Sequence, residues 1–293
     1  MNNMPLVSVC VQTYNQADYI KQCLDGILMQ QTNFPFEIIL GEDQSTDGTR
    51  KICIAYAEKH SNIKLSLRSR DDVIHINGRA TGRHNFTENL KACQGRYIAL
   101  CEGDDYWTDP LKLQKQVDIL EKHDDINICF NRANTLKAEQ LELHPIPEEV
   151  DLKGFKYIEL LQHYNFITTA SVVLRKPEGF TIPNWFYKIP FGDMGLYKLA
   201  SGSGLIHCIE DTMSVYRVHD RGIYSGISEI KAQQNYLSFY KIIRASLNSE
   251  ERKVVDKKRL KVVRKISKLK FKKSPLKSKA YYIYHRLKLV INL

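Results

Sequence analysis

No two of the seven cysteines form a CxxC pair, and Cys10, Cys101 and Cys129 fall inside apolar, strand-like runs. Thiols so placed read as reduced and buried, which excludes a disulfide-stapled scaffold. No apolar run reaches the roughly 18 residues that a membrane-crossing helix needs. The first residues, MNNMPLVSVCVQTYN, carry no basic leader ahead of their apolar stretch and soon turn polar, unlike a secretory signal. A cytoplasmic location is the expectation. A Gly-rich, Lys-bearing phosphate loop is missing near the N-terminus, which counts against the usual nucleotidyl donors. Acid is scarce in one region: residues 252–293 hold 16 Lys and Arg against Asp256 alone, a net +15. The remainder carries 27 basic and 32 acidic residues, a net −5, so the overall +10 belongs to the tail and the main body is mildly acidic.

Apolar residues make up 43% of the 293, enough for a real core in one large domain or a domain with an appendage. Residues 6–11 read as a first strand, and residues 17–30 carry Ile20, Leu24, Ile27 and Leu28 at helical spacing. Residues 36–40 read as a second strand. After it, Ser45, Thr46 and Asp47 offer helix-start chemistry for a helix through His60, followed by a strand at residues 63–67. A helix at about residues 87–93 leads into a strand ending at Glu102, and another at residues 110–122 leads to a strand at 126–130. This alternation predicts an α/β, doubly wound sheet with helices on both faces and its first strands parallel. Beyond Asn134 the rhythm weakens. Residues 154–164 look helical and residues 170–175 and 204–209 strand-like. Residues 177–190 read as a loop able to lid a pocket, and the run SVYRVHDRGIYSG closes the body.

The hydrophobic run of residues 97–101 empties into Glu102, Asp104 and Asp105 around Gly103. Sheets covered on both faces bind ligands at the carboxyl ends of their strands. Three carboxylates there repel one another unless a divalent cation or a ligand's hydroxyls engage them, which suggests a hard-metal site for phosphate chemistry. A solvated acidic turn before a helix is the plainer alternative, and Asp109-Pro110 fits a helix start. In the tail, Val255, Val262, Ile266 and Leu269 recur at helical spacing among lysines. Ile283, Leu287 and Val290 repeat the pattern after Ser274-Pro275. Such basic amphipathic helices either lie in an anionic membrane surface or cap the body with their lysines solvated; the membrane surface is the expectation carried forward.

Four segments in this order, PLVSVCVQTYNQADYI, EIILGEDQSTDGT, RYIALCEGDDYW and FGDMGLY, resemble the inverting family 2 glycosyltransferases with the GT-A, Rossmann-like nucleotide-diphospho-sugar fold. The resemblance covers about residues 5–225. The runs EGDDYWTDPLKLQKQ and MSVYRVH look like the branch that builds bacterial surface polysaccharides such as O-antigen or capsule. It implies a GT-A domain over residues 1–225, with a nucleotide-sugar-binding half (1–134) and an acceptor-binding half (135–225). A basic helical C-terminal tail (226–293) follows.

The resemblance further implies that Gln12, Thr13 and Tyr14 line the base pocket, Gln12 standing where the family usually has proline. Asp43 would accept the N3 hydrogen of uracil or thymine, which points to a UDP- or dTDP-sugar donor. Glu102-Gly103-Asp104 matches the DxD signature with Glu in the first slot. Asp104 would hold Mg²⁺ or Mn²⁺ with Asp105 in support, Arg83 would lie near the diphosphate, and His219 would complete the metal or diphosphate site. Asp193 would be the catalytic base, with a helix cap as the alternative. A surface position is the alternative for both Arg83 and His219. Trp185, Phe186 and Tyr187 either stack on acceptor sugar or pack in the core. The implied partners are a nucleotide-sugar donor, a glycan or lipid-linked acceptor, and an anionic membrane surface at the inner face of the cell membrane through residues 252–293. Two rivals remain: metal-dependent nucleotidyl transfer or diphosphate hydrolysis, and nucleic-acid binding through the tail, which the acidic body disfavours.

Overall fold

Val7, Val9 and Val11 alternate along β1 (Val7–Thr13) into one hydrophobic core while Cys10 enters another, so the first strand is covered on both faces. The computed structural model describes residues 4–220, 222, 226–272 and 274–291. From β1 the chain continues through α1 (Ile20–Leu28), β2 (Phe36–Glu42), α2 (Thr49–Lys59), β3 (Ile63–Leu67) and a small hairpin of β4 (Ile74–Ile76) and β5 (Arg79–Thr81). It then forms α3 (Arg83–Ala92), β6 (Tyr97–Leu100), β7 (Tyr106–Trp107), α4 (Lys112–Lys122), β8 (Ile126–Lys137) and β9 (Gln140–Leu143). α5 (Ile158–Gln162), β10 (Val172–Arg175), α6 (Gly192–Ser201) and β11 (Leu205–Val218) complete the body, and α7 (Glu229–Ile243), α8 (Ser249–Lys270) and α9 (Pro275–Ile291) follow.

The main sheet has the order β3-β2-β1-β6-β10-β8-β11-β7, with β9 paired to β8. β3, β2, β1 and β6 are mutually parallel, as the βαβ alternation requires. β10 enters antiparallel between β6 and β8, and β8 runs parallel to β11. Strand alternation sorts the side chains by face. Ile38, Leu40, Tyr97 and Ala99 meet Leu24 of α1, Cys53 of α2 and Leu113 and Val117 of α4. Ile39, Ile98 and Leu100 meet Phe86 and Leu90 of α3 together with α5 to α8. The expected doubly wound α/β fold with helices on both faces is present, and so is the helical C-terminal segment.

Several local expectations are corrected. α3 starts at Arg83, before the expected 87, and β8 and β11 run well past the strands expected at 126–130 and 204–209. Residues 177–190 are no free lid: Phe186 and Ile189 are fully buried, and Asn184–Tyr187 forms a short 3₁₀ turn. In the closing run, Arg221, Ile223, Tyr224 and Ser225 lie outside the described residues, as does the side chain of Val290. The tail is corrected most. Val255, Val262 and Ile266 of α8 are buried in the same core as α3 and α6, so that apolar face is not available to a membrane. A capping box starts α8, with Asn248 N–H donating to Glu251 and Glu251 N–H donating to Asn248, both at 2.9 Å. Glu251 also receives Lys198 Nζ of α6 at 2.6 and 2.8 Å, a largely buried pair that fixes the helix to the body. Among the described residues no helix is long and apolar enough to cross a membrane.

One backbone approach positions the sheet edge. Asn85 and Asn89 of α3 donate to the carbonyls of Gly41 and Val11 at 2.8 Å, and their oxygens accept from Arg68 at 2.8 and 2.7 Å. A Cβ at Gly41 would lie 2.0 Å from the Asn85 oxygen and 2.4 Å from that of Asn89. Gly41→Ala must displace both amides from the strand ends. The expected outcome is a loss of about 1–3 kcal/mol, read as a lower urea midpoint with unchanged slope.

Candidate active site

The loops that leave β1 and β2 lock into each other. Asn15 and Gln44 both take left-handed backbone, at φ 51 and 59. Asn15 N–H donates to Ser45 Oγ and Thr46 N–H donates to Asn15 Oδ1, each at 2.9 Å. Asp47 accepts Ala17 N–H and Thr49 N–H, both at 3.0 Å. The polar run 45–47, expected to begin α2, thus ties two strand ends together, and the helix starts behind Gly48. Glu42 is fully buried and serves the same loop, accepting Ser45 N–H at 2.6 Å and pairing with Arg50. Asp43 is buried beside it and takes Arg70 Nη1 at 2.7 Å, while the same guanidinium lies 3.9 Å over the exposed ring of Tyr14. Burial raises the Asp43 pKa, offset in part by Arg70.

At the end of β6 the acidic turn docks on β1. Gly103 N–H donates to the Gln12 carbonyl at 3.0 Å, and Gln12 Nε2 donates to Glu102 at 3.2 Å. A Cβ at Gly103 would lie 2.8 Å from the buried Thr13 side chain, so only glycine permits this approach. β7 pairs with β11, which brings Arg217 and His219 onto the turn. Arg217 N–H donates to Asp105 at 2.8 Å; its guanidinium binds the Asp104 carbonyl and Gln22 and lies between the rings of Tyr19 and Tyr106, at 5.0 and 4.5 Å. Asp104 Oδ2 meets His219 Nε2 at 3.1 Å. Burial, then the charges of Asp104 and Asp193, pushes the Glu102 carboxyl up to about 8. Burial, Asp104 and Glu102 hold Asp105 far above the usual range. Two of the turn's three carboxyls are therefore held toward their neutral forms, because burial and mutual repulsion outweigh what Gln12, Arg83 and the Arg217 N–H return. Asp105, 1% exposed, is spent on the Arg217 backbone.

Asp193 sits in the first turn of α6, behind the cap residue Phe191, so the helix-cap alternative fails. Its Oδ2 accepts Asn165 Nδ2 at 2.6 Å and its Oδ1 accepts Met194 N–H at 2.8 Å. Burial raises its pKa, opposed by the Met194 N–H and by Arg83. Arg83 is 6% exposed, not a surface residue. It donates to the Ile189 carbonyl at 3.1 Å and lies 4.8 Å from the Phe186 ring. A Cβ at Gly192 would fall 1.9 Å from its Nη1, so the glycine opens the space that Arg83 fills. Its charge favours the ionised forms of both Glu102 and Asp193. Phe186 packs in the core against Phe86.

The fold thus gathers Gln12, Thr13, Glu102, Gly103, Asp104 and His219 at one point, with Asp193 and Arg83 beside them and Tyr14 and Asp43 at the outer end. Four further residues join this set. Arg70 covers Tyr14, Asn165 orients Asp193, and Arg217 clamps the turn. Tyr216 has its hydroxyl pushed up by burial and then by Asp105, Glu102, Asp104 and Asp193 together. Only Arg217 and Tyr216 had a sequence signal, in VYRVH beside the assigned histidine. Among the described residues no three His, Cys, Asp or Glu side chains converge closely enough to hold a metal on their own. Asp104 and His219, a carboxylate and an imidazole 3.1 Å apart, are donors of the kind that would hold a divalent cation there.

Residues 8–177 match the family described as Glycosyl transferase family 2. The uncharacterized protein Rv1520 of Mycobacterium tuberculosis is 38% identical over 226 residues, which cover 75% of this chain and 60% of that protein. The chain thus spans less than two thirds of that relative's length. The putative teichuronic acid biosynthesis glycosyltransferase TuaG of Bacillus subtilis is 34% identical over 119 residues, 41% of this chain and 43% of TuaG. Among solved structures, S. aureus TarS 1–349 in complex with UDP-GlcNAc superposes with a TM-score of 0.63 at 17% identity, covering 95% of this chain and 78% of that one. Mannosyltransferase PcManGT from Pyrobaculum calidifontis, in complex with GDP-Man and Mn²⁺, gives 0.59 at 17% identity, covering 98% and 81%. At these identities the likeness is one of fold. The family match runs from β1 to just past β10, more than half of the chain, and with the same fold extending over nearly all of it, this protein belongs to glycosyl transferase family 2.

Proposed function

We propose that the chain transfers a sugar from a UDP- or dTDP-sugar to a hydroxyl of a glycan acceptor, with inversion, in the synthesis of a bacterial surface polysaccharide. The observation that carries this reading is the meeting of two features: a turn whose crowded carboxyls lack, among the described residues, a cation of the protein's own to hold them ionised, and a separately oriented carboxylate, Asp193, on α6. Tyr14 offers a face to the base. Asp43 keeps Arg70 on one oxygen and presents the other to a pyrimidine N3–H, which selects uracil or thymine over cytosine. When bound, a divalent cation held by Asp104 and His219 would neutralise charge gathered on the departing nucleoside diphosphate. Arg83 adds a fixed positive charge beside the turn, held by Ile189 and Phe186 so that it need not reorganise.

Asp193 acts as general base. Its raised pKa makes it a better proton acceptor than an ordinary carboxylate, and Asn165 fixes its orientation. As Asp193 takes the proton, the acceptor oxygen bonds to the anomeric carbon from the face opposite the diphosphate. The carbon–oxygen bond to the diphosphate breaks and its electron pair leaves with the nucleoside diphosphate. One base and no covalent intermediate give inversion. The relatives' names, which include teichuronic acid biosynthesis, support a surface polysaccharide acceptor, for which a lipid-linked oligosaccharide is the natural carrier.

Three outcomes are expected. UDP or dTDP with Mn²⁺ at about a hundred times Kd stabilises the protein by about 2.7 kcal/mol in thermal unfolding, GDP and CDP do not, and Asp104→Ala abolishes the metal-dependent part. Nucleoside monophosphate among the products would overturn glycosyl transfer. Asp193→Asn lowers kcat by roughly 10²–10⁴ with little change in KM or in nucleotide stabilisation; an unchanged kcat removes Asp193 from the chemistry. Because Glu102 ionises at about 8, below that pH its proton must be displaced as cation and donor bind. Affinity for UDP with Mn²⁺ therefore rises from pH 7 to 9 and levels off above the Glu102 pKa, and Glu102→Gln flattens the profile in a titration by calorimetry.

A further inference from the structure

Among the described residues, α9 meets α8 and its C-cap through Ser278 and Tyr281. Ser278 receives Ser267 Oγ, and Tyr281 meets Phe271 at 5.6 Å and Lys270 Nζ at 5.2 Å. His285, one turn further on the same helix, meets Tyr281 with the two rings tilted and 4.3 Å apart. Positions 278, 281 and 285 mark a single stripe along the helix. On the opposite side Leu276, Ala280, Ile283 and Leu287 fall at i, i+4, i+7 and i+11, a second stripe about half a turn away. It is open to solvent: Leu276 is 83% exposed, Ile283 45% and Leu287 56%. Lys279 and Arg286 border it on one side, Lys277 and Tyr284 on the other, and no acid lies between Asp256 and the last residue.

We propose that this outer face of α9, and not α8, is a docking surface for an anionic lipid bilayer. Leu276, Ile283 and Leu287 insert among the acyl chains, with Lys277, Lys279 and Arg286 on the headgroups. The occupant follows from the charge and the stripe together. A second copy of the chain would set one all-basic helix against another. A nucleic acid would engage the cations and leave three large aliphatic side chains in water. An anionic bilayer offers both a negative surface and an apolar interior, and the helix, roughly 26 Å long, can lie flat upon it. α8 cannot share the role, since its own apolar residues are committed to the core. The inference goes beyond the reading of the catalytic site and does not rest on it.

The test is co-sedimentation of the full chain with vesicles of phosphatidylcholine alone or with about a third phosphatidylglycerol, with thermal unfolding run in parallel. Binding is expected only to the anionic vesicles and to weaken with salt. The triple variant L276S/I283S/L287S should lose at least about tenfold in binding. K277S/K279S/R286S should lose roughly a hundredfold, near fivefold per cation. Both variants should keep the wild-type unfolding midpoint and its shift with UDP and Mn²⁺, which separates failure here from failure of the site. Undiminished binding by L276S/I283S/L287S overturns the proposal. So does equal binding to neutral vesicles, tighter binding to duplex RNA or DNA than to vesicles, or a solution dimer that the serine substitutions dissolve.

Discussion

Three carboxyl groups within four residues, Glu102, Asp104 and Asp105, repel one another, and the fold holds them together at the end of β6. Each is restrained by a different part of the chain. Gln12 binds Glu102, His219 meets Asp104, and the Arg217 backbone takes Asp105. None of these partners removes the charge: the buried carboxyls are pushed toward their neutral forms instead. A site in this condition favours the arrival of positive charge, because a cation relieves both the repulsion and the burial penalty at once. The topology follows from the same need. β7 is two residues long, yet its pairing with β11 is what brings Arg217 and His219 to the turn.

The first half of the fold was legible because local periodicity and connection order determine it. Apolar runs with turn chemistry between them fix a parallel βαβ unit, and the sheet could be read out to β6. The second half depends on pairings between segments far apart in sequence. β10 slips antiparallel between β6 and β8, and nothing in the run of residues 170–175 states which neighbours it will have. The polar run Ser45 to Asp47 has the chemistry of a helix start and of a loop tie in equal measure; the left-handed Asn15 across the gap decided for the tie.

The site shows the same division. Thr13 ends β1, Asp43 follows β2 and Asp104 lies on the turn after β6, so the motifs that carry them could be read to fall at one edge of the sheet. Asn165 could not, since it lies in an irregular segment and meets Asp193 only after both halves pack. Arg83 was legible as a residue but not as a buried one. Its burial depends on the absence of a Cβ at Gly192, more than a hundred positions away. The amphipathic pattern of the tail marked two helices correctly but could not name what each faces. α8 had the core available to it, and its apolar stripe went there.

That packing also connects α6, the helix of Asp193, to the end of the chain's described helices. Lys198 stands on α6 a little over one turn from Asp193, and it forms the buried pair with Glu251 at the start of α8. Glu251 is held in turn by the Asn248 capping box, and the far end of α8 holds α9 through Ser267 and Phe271. A continuous set of hydrogen bonds and packed rings thus joins the exposed face of α9 to the helix that carries Asp193. Separating the largely buried Lys198–Glu251 pair would leave each charge without its partner, so the contact between α6 and α8 is costly to open. α6, which carries Asp193, and the outer face of α9 are thus joined through α8 by packed and hydrogen-bonded contacts, so a displacement of α9 is passed to α6 through the helices between them.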